Sequence, residues 1–500
     1  MRRKNLWPAG MAASVAALLP GVALAVQAPV VTVQAPVVTE HRGVFHGVPL
    51  AYSVTIDGID VPEPGGQGGA HVVSFAYQRE HVPIAARPVV FLFNGGPITA
   101  SLWIHLGAFA PRRVEAPSDL AAGADAFHVV DNPQSLIDAA DLVFVDPADT
   151  GFSRRLPGTA PDAYHSVQAD GQQIAGFIQR WLVAHGRLGS PVYLVGESYG
   201  TVRAPEVIGQ LAALPQPVLV DGVMLLGQAV NIVEYAQRPA NIMSYVVSLP
   251  TLAAIAWYHG KVDRAGRSFD QFLAEARHYA GTTYLAALYQ GSDLPADQRA
   301  AVAAALDRYS GIPAAYYRAH DLRISKEQFR TALLADRHLV MGRNDARYVG
   351  PLTAKPGDPS EVIETGFEKA WDSYLHGELK VGWPEPYAPM ADIKGFDDWG
   401  WSGSSPFSPF AYAKPITQLM AKNPRFRVLI GNGYYDTQTT TGAADYLRSQ
   451  SGWPADRVAL RYYEGGHMAY TVDASAVRMA DDLRALVTGQ PMASLPEGQK

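Results

Sequence analysis

Val192-Tyr193-Leu194-Val195-Gly196-Glu197-Ser198-Tyr199-Gly200 decides how this chain is read. Its first four residues are apolar and β-prone, which predicts a short buried strand. The strand stops at Gly196, and G-x-S-x-G follows. Residues 201–208 then show the apolar spacing of a helix. A sharp strand-to-helix turn forces the serine between them into a strained conformation and pushes its hydroxyl out at the top of a sheet. Neighbouring backbones come close there, so the positions two before and two after must be small. Ser198 is the candidate nucleophile. A glycine-flanked surface turn is the alternative for the pentapeptide alone; the strand and helix on either side count against it.

Five hundred residues, 48% apolar and 18% charged, are ample for one large core with an inserted second unit. A formal net charge of -6 argues against nucleic-acid binding, which calls for a basic face. There is no Walker-type loop, no HExxH and no Cys/His zinc spacing, so the expectation is an enzyme without a cofactor or metal. The N-terminus opens Met1-Arg2-Arg3-Lys4, runs apolar or small over residues 9–25 and ends Ala23-Leu24-Ala25. That is the form of a signal peptide, residues 1–25. The rival is a membrane anchor, since the apolar run is just long enough to span. With the signal removed, the expectation is a soluble exported protein without a membrane contact. Zero cysteines excludes disulfides and fits a bacterial periplasm or extracellular medium.

Residues 26–32 and 33–39 repeat one seven-residue, proline-containing unit, which reads as an extended linker over 26–42. Strand patterns follow at 48–56 and 70–77, separated by a Pro/Gly-rich loop, and suggest an antiparallel hairpin. Buried strands are expected at 88–93, 142–146, 192–195 and 222–226, with a helix over 167–185. Apolar strands alternating with helices mean a mostly parallel sheet covered on both faces. Residues 43–232 form the first part of this core. Residues 233–405 turn helical and tyrosine-rich and read as an inserted helical cap over the site, with a separate domain as the alternative. Residues 406–490 resume the core with strands near 427–430 and 457–460, and 491–500 form a tail.

A serine nucleophile needs a base to take its proton and an acid to orient that base. On this architecture the chain order is Ser, then Asp or Glu, then His. Asp436 lies in a Gly-rich loop after a resumed strand, at the carboxyl edge where sites form; Asp445 is its rival, but in a helical stretch. His467 is the only histidine after Asp436. The oxyanion needs two backbone N–H groups. One comes from Tyr199, and the loop Asn94-Gly95-Gly96-Pro97 is the candidate for the other, with a plain tight turn as its alternative. Trp103, Trp399, Trp401, Tyr434 and Tyr435 read as core aromatics ahead of subsite walls.

With these pieces in place, the chain resembles the serine carboxypeptidase family, particularly its exported bacterial members. The resemblance rests on residues 94–97, the run Asp146-Pro147-Ala148-Asp149-Thr150-Gly151-Phe152-Ser153, Gly196-Glu197-Ser198-Tyr199-Gly200, the Asp436 loop and Gly465-Gly466-His467-Met468. It implies an α/β-hydrolase fold with an inserted helical cap. It also implies release of C-terminal residues from peptides through an acyl-enzyme. By the same resemblance Asn94, Gly95 and Glu197 hold the peptide's terminal carboxylate, and Gly96 pairs with Tyr199 as the oxyanion hole. A peptide or a small acyl compound is the implied partner; the oligomeric state is open. Two departures stand out. The loop continues Ile98-Thr99-Ala100-Ser101 where the family has Gly-Ser-Ser, and a second glutamate found in many eukaryotic members is replaced by Ala108-Phe109-Ala110-Pro111. Both favour an esterase or acyltransferase on the same scaffold as the alternative, with a non-catalytic binding protein further off.

Overall fold

A computed structural model describes residues 34–491, apart from 64–67, 392, 394, 404 and 406. The signal peptide, residues 26–33 of the linker and residues 492–500 of the tail lie outside the described residues. The central sheet holds β1 (Val37–Phe45), β2 (Val48–Pro62), β3 (Gly69–Arg79), β4 (Val89–Phe93), β5 (Asp141–Val145), β6 (Val192–Glu197), β7 (Val220–Leu226), β8 (Arg427–Gly433) and β9 (Val458–Tyr463). Their order across the sheet is β1-β2-β3-β5-β4-β6-β7-β8-β9. The first three strands and the β3–β5 pair are antiparallel, and every pair from β5 onward is parallel. All residues of β4, β5 and β6 are buried, which is why they read as continuous apolar runs. This is the α/β-hydrolase arrangement.

The strand order places the site. From β4 the chain crosses to β5 on one side, and from β6 it proceeds to β7 on the other. The carboxyl ends of β4 and β6 therefore meet at the switch point of the sheet, where neighbouring loops part and leave a crevice. The residues 94–97 loop follows β4 and Ser198 follows β6, so the topology alone brings them together.

Helices cover both faces. One face carries α1 (Val167–Ala184) and α2 (Gly200–Ala213). The Ser166 hydroxyl caps α1 by accepting the Ala169 N–H at 3.1 Å. The insertion contains α3 (Leu249–Tyr258), α4 (Phe269–Tyr279) and α5 (Ala296–Ser310). It continues to α6 (Glu361–Gly377), and α7 (Lys414–Lys422), α8 (Thr441–Gln450) and α9 (Asp473–Thr488) follow it. Among the described residues, no helix is long and apolar enough to cross a membrane.

Two sequence expectations need correcting. Residues 37–42, read as the end of a linker, belong to edge strand β1, paired with β2 from Val37↔Ile56 to Phe45↔Val48. Secondly, residues 233–405 are not one cap. Buried side chains from Val246 to Ala346 pack into a core of their own, joined by Tyr434, Tyr435 and Tyr462. Helix α6 instead packs on the sheet: Trp371 lies edge-on to Phe75 at 5.2 Å, and the Tyr374 hydroxyl bonds that of Tyr77 at 2.9 Å. The insertion also holds a short hairpin, Leu339–Met341 with Val349–Pro351, where no strand was expected.

Candidate active site

Ser198 follows β6 with φ +58°, the left-handed backbone that the sharp turn demands. Its N–H is held by the Leu226 carbonyl at 2.8 Å, and its carbonyl accepts the Thr201 hydroxyl at 2.6 Å. A Cβ on Gly196 would lie 2.2 Å from the Gly200 oxygen, and one on Gly95 would lie 2.5 Å from the Tyr199 nitrogen. Close backbone approach, as the motif implied, explains these glycines.

Asp436 is fully buried beyond β8. Its Oδ1 accepts the N–H groups of Gln438 at 2.7 Å and Thr439 at 3.0 Å. Its Oδ2 meets His467 Nδ1 at 2.7 Å and also accepts the Thr439 hydroxyl. A carboxylate so fully supplied with donors is held in place and oriented toward the imidazole. Burial works against charge on His467, but Asp436, then Glu197 and Glu364, outweigh it and raise the ring to about 9. The backbone of the histidine loop is tied to the insertion: His467 N–H donates to Asn344 O at 2.6 Å, and Gly466 N–H to Asp345 Oδ2 at 3.0 Å. Asp445, the rival acid, is committed elsewhere, to Arg277 at 3.1 Å and to the Tyr462 hydroxyl.

Asn94 sits where β4 ends, with both faces of its amide engaged. Oδ1 accepts the Ile104 N–H at 2.9 Å, and Nδ2 donates to Glu197 Oε2 at 2.7 Å. The Asn94 carbonyl accepts Arg203 Nη1 at 2.5 Å, and Arg203 is itself paired with Asp170 at 2.7 Å, both side chains fully buried. Gly96 takes φ +99°, and neither its N–H nor that of Tyr199 has an acceptor among the described residues. Beyond it the unusual Ile98-Thr99-Ala100 run is joined to a strap from the insertion: Ala100 N–H donates to Pro389 O at 2.9 Å and Ala391 N–H to Ile98 O at 3.1 Å. The altered sequence thus gives a loop pinned from outside. Its far end is anchored by Ser101, whose N–H and hydroxyl both donate to Asp146 Oδ1 at 2.7 Å.

Glu197 is buried, and burial pushes its carboxyl up to about 7, with His467, Tyr470 and Asn94 pulling the other way. Among the described residues, no second carboxyl is hydrogen-bonded to it. Ala108 is buried where the run replaces a glutamate, and the Tyr470 hydroxyl donates to both Glu197 oxygens at 3.0 Å. Burial and then the charge of Glu197 keep that hydroxyl well above its ordinary range, so it stays a donor. Removing the donor in Tyr470→Phe is expected to raise the Glu197 titration further, by about one pH unit. The pH at which binding of a carboxylate substrate weakens should move up with it; a KM–pH profile checks this.

Asn94, Gly96 and Glu197 line one cavity of about 190 Å³ with Ser198, His467, Trp103, Asn344, Glu364, Met390 and Gln438. Ser198 and His467 are both half-buried, and no hydrogen bond joins them in this structure. Such contacts commonly tighten only with substrate present. The arrangement can deliver an activated hydroxyl, a base with its orienting acid, and two backbone donors: the chemistry of acyl transfer through a serine. Among the described residues, no cluster of His, Cys, Asp or Glu suits a metal ion. Of the singled-out aromatics, Trp103 lines the cavity, Trp399 and Trp401 stand edge-on to Tyr199 at 5.2 and 5.9 Å, and Tyr434 and Tyr435 join the insertion's core. Sequence reasoning missed Thr439, Tyr470, Asn344 and Glu364. Only Thr439 carried a local signal, as the hydroxyl three residues after an aspartate in a turn.

No curated protein sequence matches the chain. Similar solved structures include Candida antarctica lipase A, 12% identical over 91% of this chain and 83% of that one, with a TM-score of 0.35. A peroxisomal α/β-hydrolase of Saccharomyces cerevisiae is 11% identical over 93% of this chain and 92% of that one, TM-score 0.32. A bacterial heroin esterase is 11% identical over 88% and 85%, TM-score 0.34. Asp436 and His467 lie beyond the reach of the family match and stand on geometry alone. The chain is a serine hydrolase of the α/β-hydrolase fold, and residues 73–217, which carry the Asn94 loop and Ser198, match the serine carboxypeptidase family model.

Proposed function

We propose that the protein is a serine carboxypeptidase, releasing C-terminal residues from peptides through an acyl-enzyme on Ser198. The observation that carries this reading is Glu197: a buried carboxyl directly before the nucleophile, raised to about 7, lining the cavity that Ser198 lines. While neutral it can share its proton with a substrate carboxylate, and Asn94 holds it in place at 2.7 Å. In the reaction, His467 accepts the Ser198 proton as Oγ attacks the scissile carbonyl, and Asp436 stabilises the imidazolium. The N–H groups of Gly96 and Tyr199 receive the developing oxyanion. The tetrahedral adduct collapses as His467 hands the proton to the leaving amine, and water repeats the sequence to free the acyl group.

Two titrations act in opposite directions. Glu197 is neutral below about 7, so its hold on a free carboxylate is lost as pH rises past that point. His467 must be neutral to act as base, so its contribution grows as pH approaches about 9. The ratio of kcat/KM for an N-blocked free-acid dipeptide to that of its C-amidated counterpart should therefore fall about tenfold per pH unit above 7. In Glu197→Gln the ratio should be flat. A flat ratio in the unaltered protein would overturn the carboxypeptidase reading.

A second reading, an esterase or acyltransferase, draws on Tyr470. A phenol in place of a second carboxylate leaves Glu197 without a partner that can trade a proton with it. Cleavage of simple esters without cleavage of peptides would move the assignment there. The basic, then apolar, then Ala23-Leu24-Ala25 start supports export as the setting for either activity.

A further inference from the structure

The cavity has two further polar lining residues that touch no reacting atom in the acyl-transfer scheme. Asn344 and Glu364, both from the insertion, line it with Ser198 and His467. Asn344 is 3% exposed, and its Oδ1 is buried with no hydrogen-bond partner among the described residues. Its Nδ2 is turned to Glu364 Oε1 at 3.3 Å and to the Met468 sulfur at 3.6 Å, which leaves the oxygen as the free atom. Glu364 is half-buried on α6 and forms no ion pair among the described residues. Burial, then the charges of Asp358 and Glu361, push its carboxyl up, while the Asn344 amide and the His467 ring pull the other way; the nearby Arg343 is already paired with Glu327 and Asp358. An unmet buried acceptor is costly, and so is a partly buried carboxylate whose cationic neighbour, the His467 ring, must lose its charge to act as base. Both are relieved by one kind of group, a donor that is positively charged.

We propose that Asn344 Oδ1 and the Glu364 carboxylate form a recognition site for a cationic group of the substrate, an ammonium or guanidinium, beside the scissile bond. This deepens the reading of the cavity as the peptide site and rests on it. Glu197 and Asn94 would serve the substrate's carboxylate while Glu364 and Asn344 serve its cation, so the preferred substrates are short peptides bearing both. Neutral peptides of equal length gain nothing from the second pair, and acidic side chains meet repulsion.

The test uses the purified chain and N-blocked dipeptides carrying lysine, norleucine or glutamate on either side of the scissile bond. Lysine and norleucine share an alkyl chain and differ in charge. The expected result is a kcat/KM for lysine at least about threefold above norleucine at one of the two positions, within the range of one partly screened charge pair. In Glu364→Gln that ratio should fall close to 1, whatever happens to the absolute rates, and in Glu364→Lys glutamate should overtake lysine. Ratios within about twofold in the unaltered protein at both positions, or a ratio that survives Glu364→Gln, would overturn the proposal. Binding of n-butylammonium against 1-butanol, by calorimetry, separates the two failures. Preferential binding of the amine that Glu364→Gln removes, without turnover of any peptide, would keep the cation site and remove the carboxypeptidase reading. Equal binding, or an amine preference that survives Glu364→Gln, would remove the site itself.

Discussion

Replacing Ser198 with alanine lowers turnover of any peptide or ester substrate by about 10⁴-fold or more. The hydroxyl oxygen is the only heavy atom lost, and in the proposed mechanism it is the atom that makes the covalent bond. What persists is stabilisation by the N–H groups of Gly96 and Tyr199, a small residue of the full effect. The fold should be indifferent to the change. Alanine takes the same strained backbone, φ +58°, at the same cost as serine, and the contacts that hold the turn come from the backbone. A thermal midpoint close to that of the unaltered protein therefore accompanies the loss. A fluorophosphonate probe should label the unaltered chain once, at Ser198, and leave the variant unlabelled. Labelling elsewhere, or turnover within tenfold of normal, would remove Ser198 from the nucleophile's role.

The largest structural effect is expected at Arg203. Its guanidinium and the Asp170 carboxylate are fully buried, 2.7 Å apart, and the same guanidinium holds the Asn94 carbonyl and lies over the rings of Phe93 and Tyr199 at 5.4 and 5.3 Å. Arg203→Leu leaves Asp170 as an uncompensated buried charge and should cost about 3–5 kcal/mol of stability. The partner double change, Asp170→Leu with Arg203→Met, removes the orphaned charge and should recover most of that loss. The Asn94 loop would still lack its anchor, so activity should stay depressed in the double variant while stability returns. Denaturant unfolding and kcat/KM measured on the same samples check the pair. A loss below about 1 kcal/mol in Arg203→Leu would show that the ion pair is not what holds the loop.

What could be read from the chain alone was whatever is local or ordered along it. The strand ending at Gly196, the serine at the turn and the helix beyond rest on neighbouring residues, because backbone strain and apolar periodicity act over a few positions. The succession Ser198, Asp436, His467 rests on chain order, and one remaining histidine left no choice. Even so, residues 37–42 of β1 read as linker, because an edge strand buries only alternate residues and its polar half looks like exposed chain. The insertion reads as one cap, because α6 shows the same amphipathic spacing whether it packs on a cap or, as Trp371 and Tyr374 do, on the sheet.

Only the tertiary structure decided the rest of the site. Tyr470 lies 273 positions from the Glu197 it serves, and Asn344 reaches His467 from a different part of the fold. Such pairings follow from how strands cross at the switch point and how the insertion folds back. Neither leaves a period or a spacing in the sequence. The chemistry was therefore legible where one short stretch of backbone creates it, and the substrate's surroundings were not, because they are built from segments that meet only when the chain is folded.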